Sequence, residues 1–335
     1  MKPQHLPAWD RPVLQSVVAA VRDSRHVATN PAAVERVAEW MAYEPFSPPQ
    51  GGPEAPFDWG REPDGVIDAV MLKASLDFAF TDFATGAKFE TEYLGRMWSD
   101  SEAMYGCLHR AWSAGVPVLD GEYLAGVAVD DLDRIFAGSV TMPMLDDRAA
   151  ILNDIGAALV DRYQGRFHRF LRGCAPAMYA GGEGLLERLV IEFPRFDDHS
   201  EYHGETVVFH KLAQLALWSL HLSVGPGGGV VIGDLDGMTA FADYVVPMAL
   251  ELMQVLEYTE QLEGRIAAGE VVPRDSDEEI EIRAHSLYAT ALLTEAINRR
   301  RSPERALIIP QVDYRLWSTY HAAAHPHHLT RTVMY

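Results

Sequence analysis

The sequence predicts an all-α fold that forms one large helical domain over residues 1–335. Along about a dozen segments, apolar residues recur at intervals of three and four, as on the buried face of an amphipathic helix. The connections between these segments are short and rich in Gly, Pro and polar residues, and hardly any stretch alternates as a half-buried strand does. No repeat period is present, so we expect a compact domain rather than a solenoid.

Two helices are predicted near the start of the chain. The first covers residues 13–22, and the second follows Asn30 and Pro31, a favoured helix cap and a favoured first helical residue. A third, buried helix is predicted over residues 66–83. Residues 88–98 show the partial alternation of a short hairpin.

Residues 45–63 are predicted to form a long loop, because Pro and Gly are too frequent there for regular structure. A loop of this length within a compact domain is usually either functional or disordered. Its aromatic residues Phe46, Phe57 and Trp59 favour a loop that packs against the protein.

The middle and the end of the chain are predicted to be helical. A helix between Ser99 and Gly115 has clear boundaries, since Ser99 and Glu102 form a capping-box pattern and Gly115 is a favoured stop. The glycine-rich segment 225–237 is interpreted as a connector, because it lacks the spacing of either dinucleotide-binding motif. The other predicted helices cover residues 131–138, 146–163, 185–193, 205–222, 278–301 and 311–324, and one more begins at Pro247.

The composition argues against several classes of function. A formal net charge of −20 disfavours a stable nucleic-acid complex, because phosphate contacts need clustered Lys and Arg. No apolar run approaches the roughly 18 residues of a membrane span, and the first residues lack the apolar centre of a signal peptide. We therefore expect no membrane partner, a cytoplasmic location and, with the oligomeric state left open, a monomer. Cys107 and Cys174 are interpreted as buried free thiols.

One stretch combines a charge with two aromatic rings ahead of a predicted helix. Asp243 lies between Phe241 and Tyr244, and Pro247 is favoured at the start of a helix. A helix that begins there points its free N–H groups and the positive end of its dipole at this turn. The stretch indicates a small-molecule pocket. The alternative is that Asp243 only caps the helix and the two aromatics belong to the core.

Three other segments of the C-terminal half carry functional side chains. Lys211 begins a helix in a chain whose positive charge is mostly arginine, and lysine is the base whose pKa burial can shift. Asp313, Trp317 and Tyr320 share one helical face by their spacing. The terminal segment contains His325, His327, His328 and Arg331, which suit anion recognition better than metal binding, since no carboxylate at metal-ligand spacing accompanies them.

The chain contains no nucleophile elbow, catalytic cysteine pattern or P-loop. Paired carboxylates, one lysine and stacking aromatic rings remain. These groups suit cleavage of an N-glycosidic bond better than acyl or phosphoryl transfer.

At these residues the chain resembles the queuosine salvage proteins, which are queuosine 5′-phosphate N-glycosylases. No single segment is diagnostic, but the ordered set is specific and covers nearly the whole chain. The matching segments are MPMLDDRAAILNDIG (142–156), the FP-x-F-x-D stretch at 193–198, FHKLAQL (209–215), MTAFADYVVP (238–247), EIEIRAHSL (279–287), VDYRLW (312–317) and PHHLTR (326–331).

The resemblance implies a helical fold similar to that of the helix-hairpin-helix DNA glycosylases, acting on a free nucleotide. It implies queuosine 5′-monophosphate as the substrate, queuine and ribose 5-phosphate as the products, and no metal or organic cofactor. By the same resemblance Asp313 is the catalytic carboxylate, assisted by Asp243 and Lys211. The expected substrate-binding residues are Phe241, Tyr314, Ser318, Trp317 and Tyr244 around the base, with His327 and Arg331 on the phosphate.

Two rival functions stay open at this point. A nucleic-acid base glycosylase would share the fold, but it would be expected to carry a basic face. A non-catalytic binder of a modified nucleobase would keep the aromatics and Asp243 without needing a reactive carboxylate.

Overall fold

A computed structural model describes residues 5–46, 57–60, 62–225, 228–321 and 323–335. These residues contain fourteen α-helices and six short strands, so the protein is predominantly helical, as the sequence predicts, but not purely so. The helices are α1 (Pro12–Asp23), α2 (Pro31–Met41), α3 (Pro63–Ser75), α4 (Asp100–Ser113), α5 (Gly121–Leu124), α6 (Val129–Ile135), α7 (Leu145–Tyr163), α8 (Phe167–Arg172), α9 (Leu185–Glu192), α10 (Lys211–Ser223), α11 (Val245–Leu252), α12 (Glu260–Ala267), α13 (Asp277–Asn298) and α14 (Ile309–Tyr320).

The strands form three two-stranded antiparallel pairs. The predicted hairpin at residues 88–98 is confirmed as the second of these pairs. The pairs are β1 (Val27–Thr29) with β6 (Leu256–Tyr258), β2 (Glu90–Tyr93) with β3 (Arg96–Ser99), and β4 (His199–Tyr202) with β5 (Glu205–Val208).

The third pair corrects the helix predicted over residues 205–222. Its first four residues are strand β5, and the helix begins only at Lys211. Thr206, Val207 and Val208 are β-branched and favour a strand. The turn before them also favours a hairpin, because His203 and Gly204 both have positive φ, 51° and 87°, as a two-residue hairpin turn requires.

Predicted helix ends differ from the structure at residues 66–83 and at Pro247, whereas at Ser99 the predicted helix start is correct and only the predicted capping bond is absent. The helix predicted over residues 66–83 ends at Ser75, where buried Arg148 binds the carbonyl groups of the following turn. The Ser99 side chain makes no capping hydrogen bond to α4, which starts at Asp100 with a positive φ of 53° directly after strand β3. Helix α11 begins two residues before Pro247, at Val245.

The predicted loop at 45–63 is only partly described, since residues 47–56 and 61 lie outside the described residues. Its three aromatics pack, as predicted. Phe57 stacks on His109 with ring centroids 5.3 Å apart, Trp59 is 4% exposed, and Phe46 lies under the guanidinium of Arg301. Position 63 already belongs to α3.

Helix α13 is the central element of the C-terminal half. Its 22 residues are buried along nearly the whole length, and it packs against α1, α2, α11 and α14. Its first turns carry the charged side chains Glu279, Glu281 and Arg283 into the interior. In the part of the chain that the structure describes, no helix is both long enough and apolar enough to cross a membrane.

Both cysteines are free thiols, as predicted. Cys107 is buried, whereas Cys174 is only partly buried. Burial raises the pKa of both thiols, and that of Cys174 reaches about 11, so neither is poised for nucleophilic chemistry.

Candidate active site

Asp313 joins helix α14 to the turn that precedes α11. Its carboxylate is buried, with 3% of the residue exposed, and Oδ1 accepts a hydrogen bond from the Phe241 N–H at 2.9 Å. Helix α14 starts where the sequence favours a start: Pro310 lies in its first turn, and the Gln311 side chain accepts the Ile308 N–H at 2.9 Å. The helix thereby carries a carboxylate to the aromatic turn.

Asp243 caps helix α11 from the same turn. Its Oδ1 accepts the N–H groups of Val245 and Val246, both at 2.9 Å, and its own N–H donates to the Phe241 carbonyl at 2.7 Å. The capping alternative drawn from the sequence is therefore correct in geometry. It engages one oxygen of the carboxylate, so capping and a role in a pocket are compatible.

Lys211 is the first residue of α10 and is 7% exposed. Its N–H donates to Oδ2 of Asp198 at 3.2 Å. The preceding residue, His210, has a left-handed backbone with φ 48°, and its N–H donates to the Asp198 carbonyl at 3.0 Å. Asp198 thus fixes the backbone from which the lysine side chain extends.

The charges of these three residues act on one another. Burial, followed by the charge of Asp243, raises the pKa of Asp313 well above its usual range. Burial also raises the pKa of Asp243, while the Lys211 ammonium lowers the pKa of both carboxyl groups. Two carboxylates and one ammonium in a desolvated site form a region of negative potential. The charge of Asp243, which contributes to the raised pKa of Asp313, would equally stabilise a positive charge developing on a substrate.

The aromatic residues Tyr244 and Phe241 lie in the turn that carries Asp243. Tyr244 stacks on His327 with ring centroids 4.5 Å apart and an interplanar angle of 25°. Phe241, three residues before Tyr244, is buried, with 6% of the residue exposed. Burial lowers the pKa of His327, against the opposing charge of Asp243. The terminal segment is in this way brought to the turn that carries Asp243.

Four predicted site residues make contacts that do not connect them to this group. Tyr314 and Trp317 stack on each other with centroids 6.2 Å apart, and Trp317 also packs against the hydrophobic cluster formed by α2, α11, α13 and α14. The Ser318 hydroxyl donates to the Arg315 carbonyl at 3.4 Å. Arg331 is exposed, with its guanidinium 5.6 Å from the centroid of the Phe83 ring.

A sequence model of the family described as queuosine salvage protein matches residues 59–335. The chain belongs to this family. A relative from Sphaerobacter thermophilus is 33% identical over 96% of this chain and 97% of its own length. A relative from Mus musculus is 27% identical over 94% of this chain and 92% of its own. One from Schizosaccharomyces pombe is 28% identical over 70% of each chain. All three bear the name queuosine 5′-phosphate N-glycosylase/hydrolase.

In this queuosine salvage protein, charges that act on Tyr244 and His327 were not predicted from the sequence. Lys88 forms an ion pair with Asp100 at 2.8 Å, and its charge lowers the pKa of His327. Burial and then the charges of Asp100, Asp243 and Asp77 raise the pKa of the Tyr244 hydroxyl. The scarcity of lysine in the chain was the one available signal for Lys88, and nothing in the local pattern indicated the two aspartates.

The histidines in and just before the PHHLTR segment (326–331) contact different partners. His325 Nε2 lies 3.1 Å from Glu251 Oε2, whereas His328 Nε2 is 3.3 Å from the Tyr335 hydroxyl. Among the described residues, no group of three or more His, Cys, Asp and Glu is arranged to hold a metal ion.

Proposed function

We propose that this chain hydrolyses the N-glycosidic bond of queuosine 5′-monophosphate and releases queuine and ribose 5-phosphate. Its family and the names of its relatives support this substrate. The observation that carries the chemistry is Asp313, a buried carboxyl group beside a second carboxyl group and a lysine, with a pKa well above its usual range. The enzyme needs no metal or organic cofactor.

The base sets the requirement for catalysis. Queuine is a 7-deazapurine, so the leaving base cannot be activated by protonation at N7, and positive charge accumulates on the ribosyl group. A carboxylate beneath the anomeric carbon stabilises that cation electrostatically, or adds to it covalently before water completes the hydrolysis. We assign this role to Asp313, whose desolvated surroundings strengthen the interaction.

The other predicted residues hold the substrate. Asp243 accepts hydrogen bonds from the donor edge of the base, and Lys211 neutralises Asp243 or reaches a ribose oxygen. In the base pocket, Phe241 and Tyr314 stack on the ring, while Tyr244, Trp317 and Ser318 complete the lining. His327 and Arg331 bind the 5′-phosphate, and this remote binding energy positions the sugar for cleavage.

The test is direct detection of the products. The purified chain is incubated with queuosine 5′-monophosphate in buffer containing EDTA, and free queuine and ribose 5-phosphate are measured by mass spectrometry. Stoichiometric release supports the proposal. Tight binding without release would instead identify a non-catalytic binder, and release only from an oligonucleotide would identify a nucleic-acid glycosylase.

The broader predictions belong to the same proposal. They are a single domain over residues 1–335, a fold similar to the helix-hairpin-helix DNA glycosylases, a monomeric state and a cytoplasmic location. Size-exclusion chromatography with light scattering tests the monomer, because a dimer would double the 37.2 kDa mass of the chain.

A further inference from the structure

A buried ion pair lies behind the candidate site. Arg283, in the second turn of α13, is 2% exposed and binds Asp198 through both ends of its guanidinium, with Nη1 3.0 Å from Oδ1 and Nη2 2.5 Å from Oδ2. A second acid, Glu279, lies 3.7 Å from Nη1 one helical turn away. Such a two-pronged pair is geometrically rigid, because the planar guanidinium matches the carboxylate.

The pair holds the segment that carries Lys211. Asp198 accepts the Lys211 N–H with its side chain, and it accepts the N–H groups of Phe209 and His210 with its main-chain carbonyl, at 2.9 and 3.0 Å. The Arg283 guanidinium also lies 3.9 Å from the centre of the Phe209 ring. Asp198 and Arg283 therefore hold the three residues that lead into α10, which are Phe209, His210 and Lys211.

The same guanidinium reaches the segment that carries Asp243. Its Nε donates to the Ala242 carbonyl at 3.4 Å. Ala242 lies between Phe241, whose N–H binds Asp313, and Asp243 itself. The Arg283 side chain thus connects two backbone segments. One carries Lys211, and the other carries Asp243 and the Phe241 N–H that binds Asp313.

A third segment, residues 327–335, attaches to the same place. Arg283 lies 4.8 Å from the centre of the Tyr335 ring, and the Tyr335 hydroxyl donates to Glu279 Oε1 at 2.9 Å. His328 contacts that hydroxyl through Nε2 at 3.3 Å, and the His328 carbonyl accepts a hydrogen bond from Nδ1 of His327 at 2.9 Å. The ring that stacks on Tyr244 is in this way tied to the ion pair.

We infer that Asp198 and Arg283 are positioning residues that set Lys211 at its working distance from Asp243 and Asp313. Neither residue touches the substrate. This role explains two segments to which the site assigns no function, FP-x-F-x-D with Asp198 and EIEIRAHSL with Arg283. The inference rests on the proposed function, because the working distance has meaning only for that reaction.

The chain offers a matched control for a purely structural effect. Glu281, two residues before Arg283 on α13, is also a fully buried carboxylate. It accepts the N–H groups of Arg25, His26 and Val27 and the Tyr202 hydroxyl, on the side of β1 and away from the site. Glu281→Gln and Asp198→Asn each replace one buried acid by its amide, so both are expected to lower the melting temperature.

The experiment compares kcat, KM and the pH profile of the two variants with the wild type. Asp198→Asn is expected to lower kcat about 100-fold, the scale of an ångström-sized misplacement, with little change in KM. Its acid limb should move to higher pH, because the Lys211 ammonium that lowers the pKa of both carboxyl groups is displaced. Glu281→Gln should keep the wild-type kcat and pH profile.

Two further variants separate this role from loss of fold. Arg283→Lys keeps the buried positive charge, but a single ammonium cannot bridge Asp198 and the Ala242 carbonyl, so kcat should fall in a protein that still melts cooperatively. In a Lys211→Ala background, Asp198→Asn should cause no further loss of activity. Asp198 acts through Lys211, so the effects of the two substitutions should not add.

Three results would overturn the inference. They are equal kcat for Asp198→Asn and Glu281→Gln at matched stability, an unchanged kcat in Arg283→Lys, and the same additional loss from Asp198→Asn when Lys211 is absent. Each is measured against wild-type turnover. A wild type that releases no queuine contradicts the proposed function instead, so the two failures are distinguishable.

Discussion

Replacing Asp313 by Asn should remove activity and at the same time stabilise the protein. The asparagine keeps an oxygen that can accept the Phe241 N–H, so the turn is retained. It removes a charge that is 3% exposed and faces a second carboxylate. We expect kcat to fall by about 10³-fold or more, because a preorganised charge in a desolvated site is usually the largest single contribution to catalysis.

The stability change has a defined sign. Because the folded protein raises the pKa of Asp313, it binds this proton more tightly than the unfolded chain does. This tighter proton binding stabilises the folded protein fully below the pKa that Asp313 has in the unfolded chain. The stabilisation is lost as the pH rises through the pKa that Asp313 has in the folded protein. The introduced asparagine does not titrate, so the variant does not lose stability in this way. Its free energy of unfolding should therefore exceed that of the wild type by an amount that increases with pH.

The magnitude follows from relieving one unfavourable buried charge, which typically stabilises a protein by about 1–2 kcal/mol. For a chain of this length that corresponds to an increase in melting temperature of about 2–4 °C. The melting temperatures of the variant and the wild type are measured by differential scanning calorimetry at pH 5 and pH 8, and kcat is measured at both pH values. A melting temperature that falls at both pH values would refute the electrostatic argument, and near-normal turnover would remove Asp313 from the mechanism.

Asp198→Asn is the opposite control for this stability measurement. Asp198 is also buried, and burial by itself raises its pKa, but the charge and hydrogen bonds of Arg283 together with the Lys211 N–H lower the pKa overall. Its charge therefore stabilises the folded state above the unfolded pKa, and that contribution is lost as the pH falls through the folded pKa. Removing it takes the two-pronged partner from the buried Arg283 guanidinium and leaves only Glu279, 3.7 Å from Nη1, at a cost of about 3–5 kcal/mol.

Three other predictions concern the site. Arg331→Ala should raise KM for queuosine 5′-monophosphate at least about tenfold more than for the unphosphorylated nucleoside, as expected for a lost charge-assisted contact; equal losses on both would place the phosphate elsewhere. Asp243→Asn should move the acid limb of the residual kcat to lower pH, because it removes a charge that raises the pKa of Asp313; an unmoved limb would show that the two groups titrate independently. Tyr244→Phe should keep KM near the wild-type value while Tyr244→Ala raises it, since the ring stacks on His327; matching effects in steady-state kinetics would point to the hydroxyl instead.

Local sequence rules predicted most of the helices, because caps, prolines and apolar spacing act over one or two turns. Asn30 does accept the Ala33 N–H at 3.1 Å, as its position before Pro31 suggests. The same rules failed at residues 205–208, where the apolar run fits a strand as well as a helix and the turn at His203 and Gly204 decides between them.

The site needed information that no local pattern contains. The hydrogen bond from Phe241 to Asp313 joins residues 72 positions apart, and only the resemblance to a family placed them together. The start of α13 was harder still. A segment rich in Glu and Arg usually lies on a solvated face, yet Glu279, Glu281 and Arg283 are among the most buried side chains of the protein. Their partners lie on other segments, so composition could not reveal them.

The charges of the site divide the proposed substrate into two parts. Asp243 and Asp313 make a negative region that suits a ribosyl cation but would repel a phosphate. Arg331, which we propose as a phosphate contact, is exposed beside Phe83 and offers the phosphate a place outside this buried region. Because the cation develops only during bond cleavage while the phosphate is charged throughout, this separation lets the enzyme bind the ground state at one end and favour the transition state at the other.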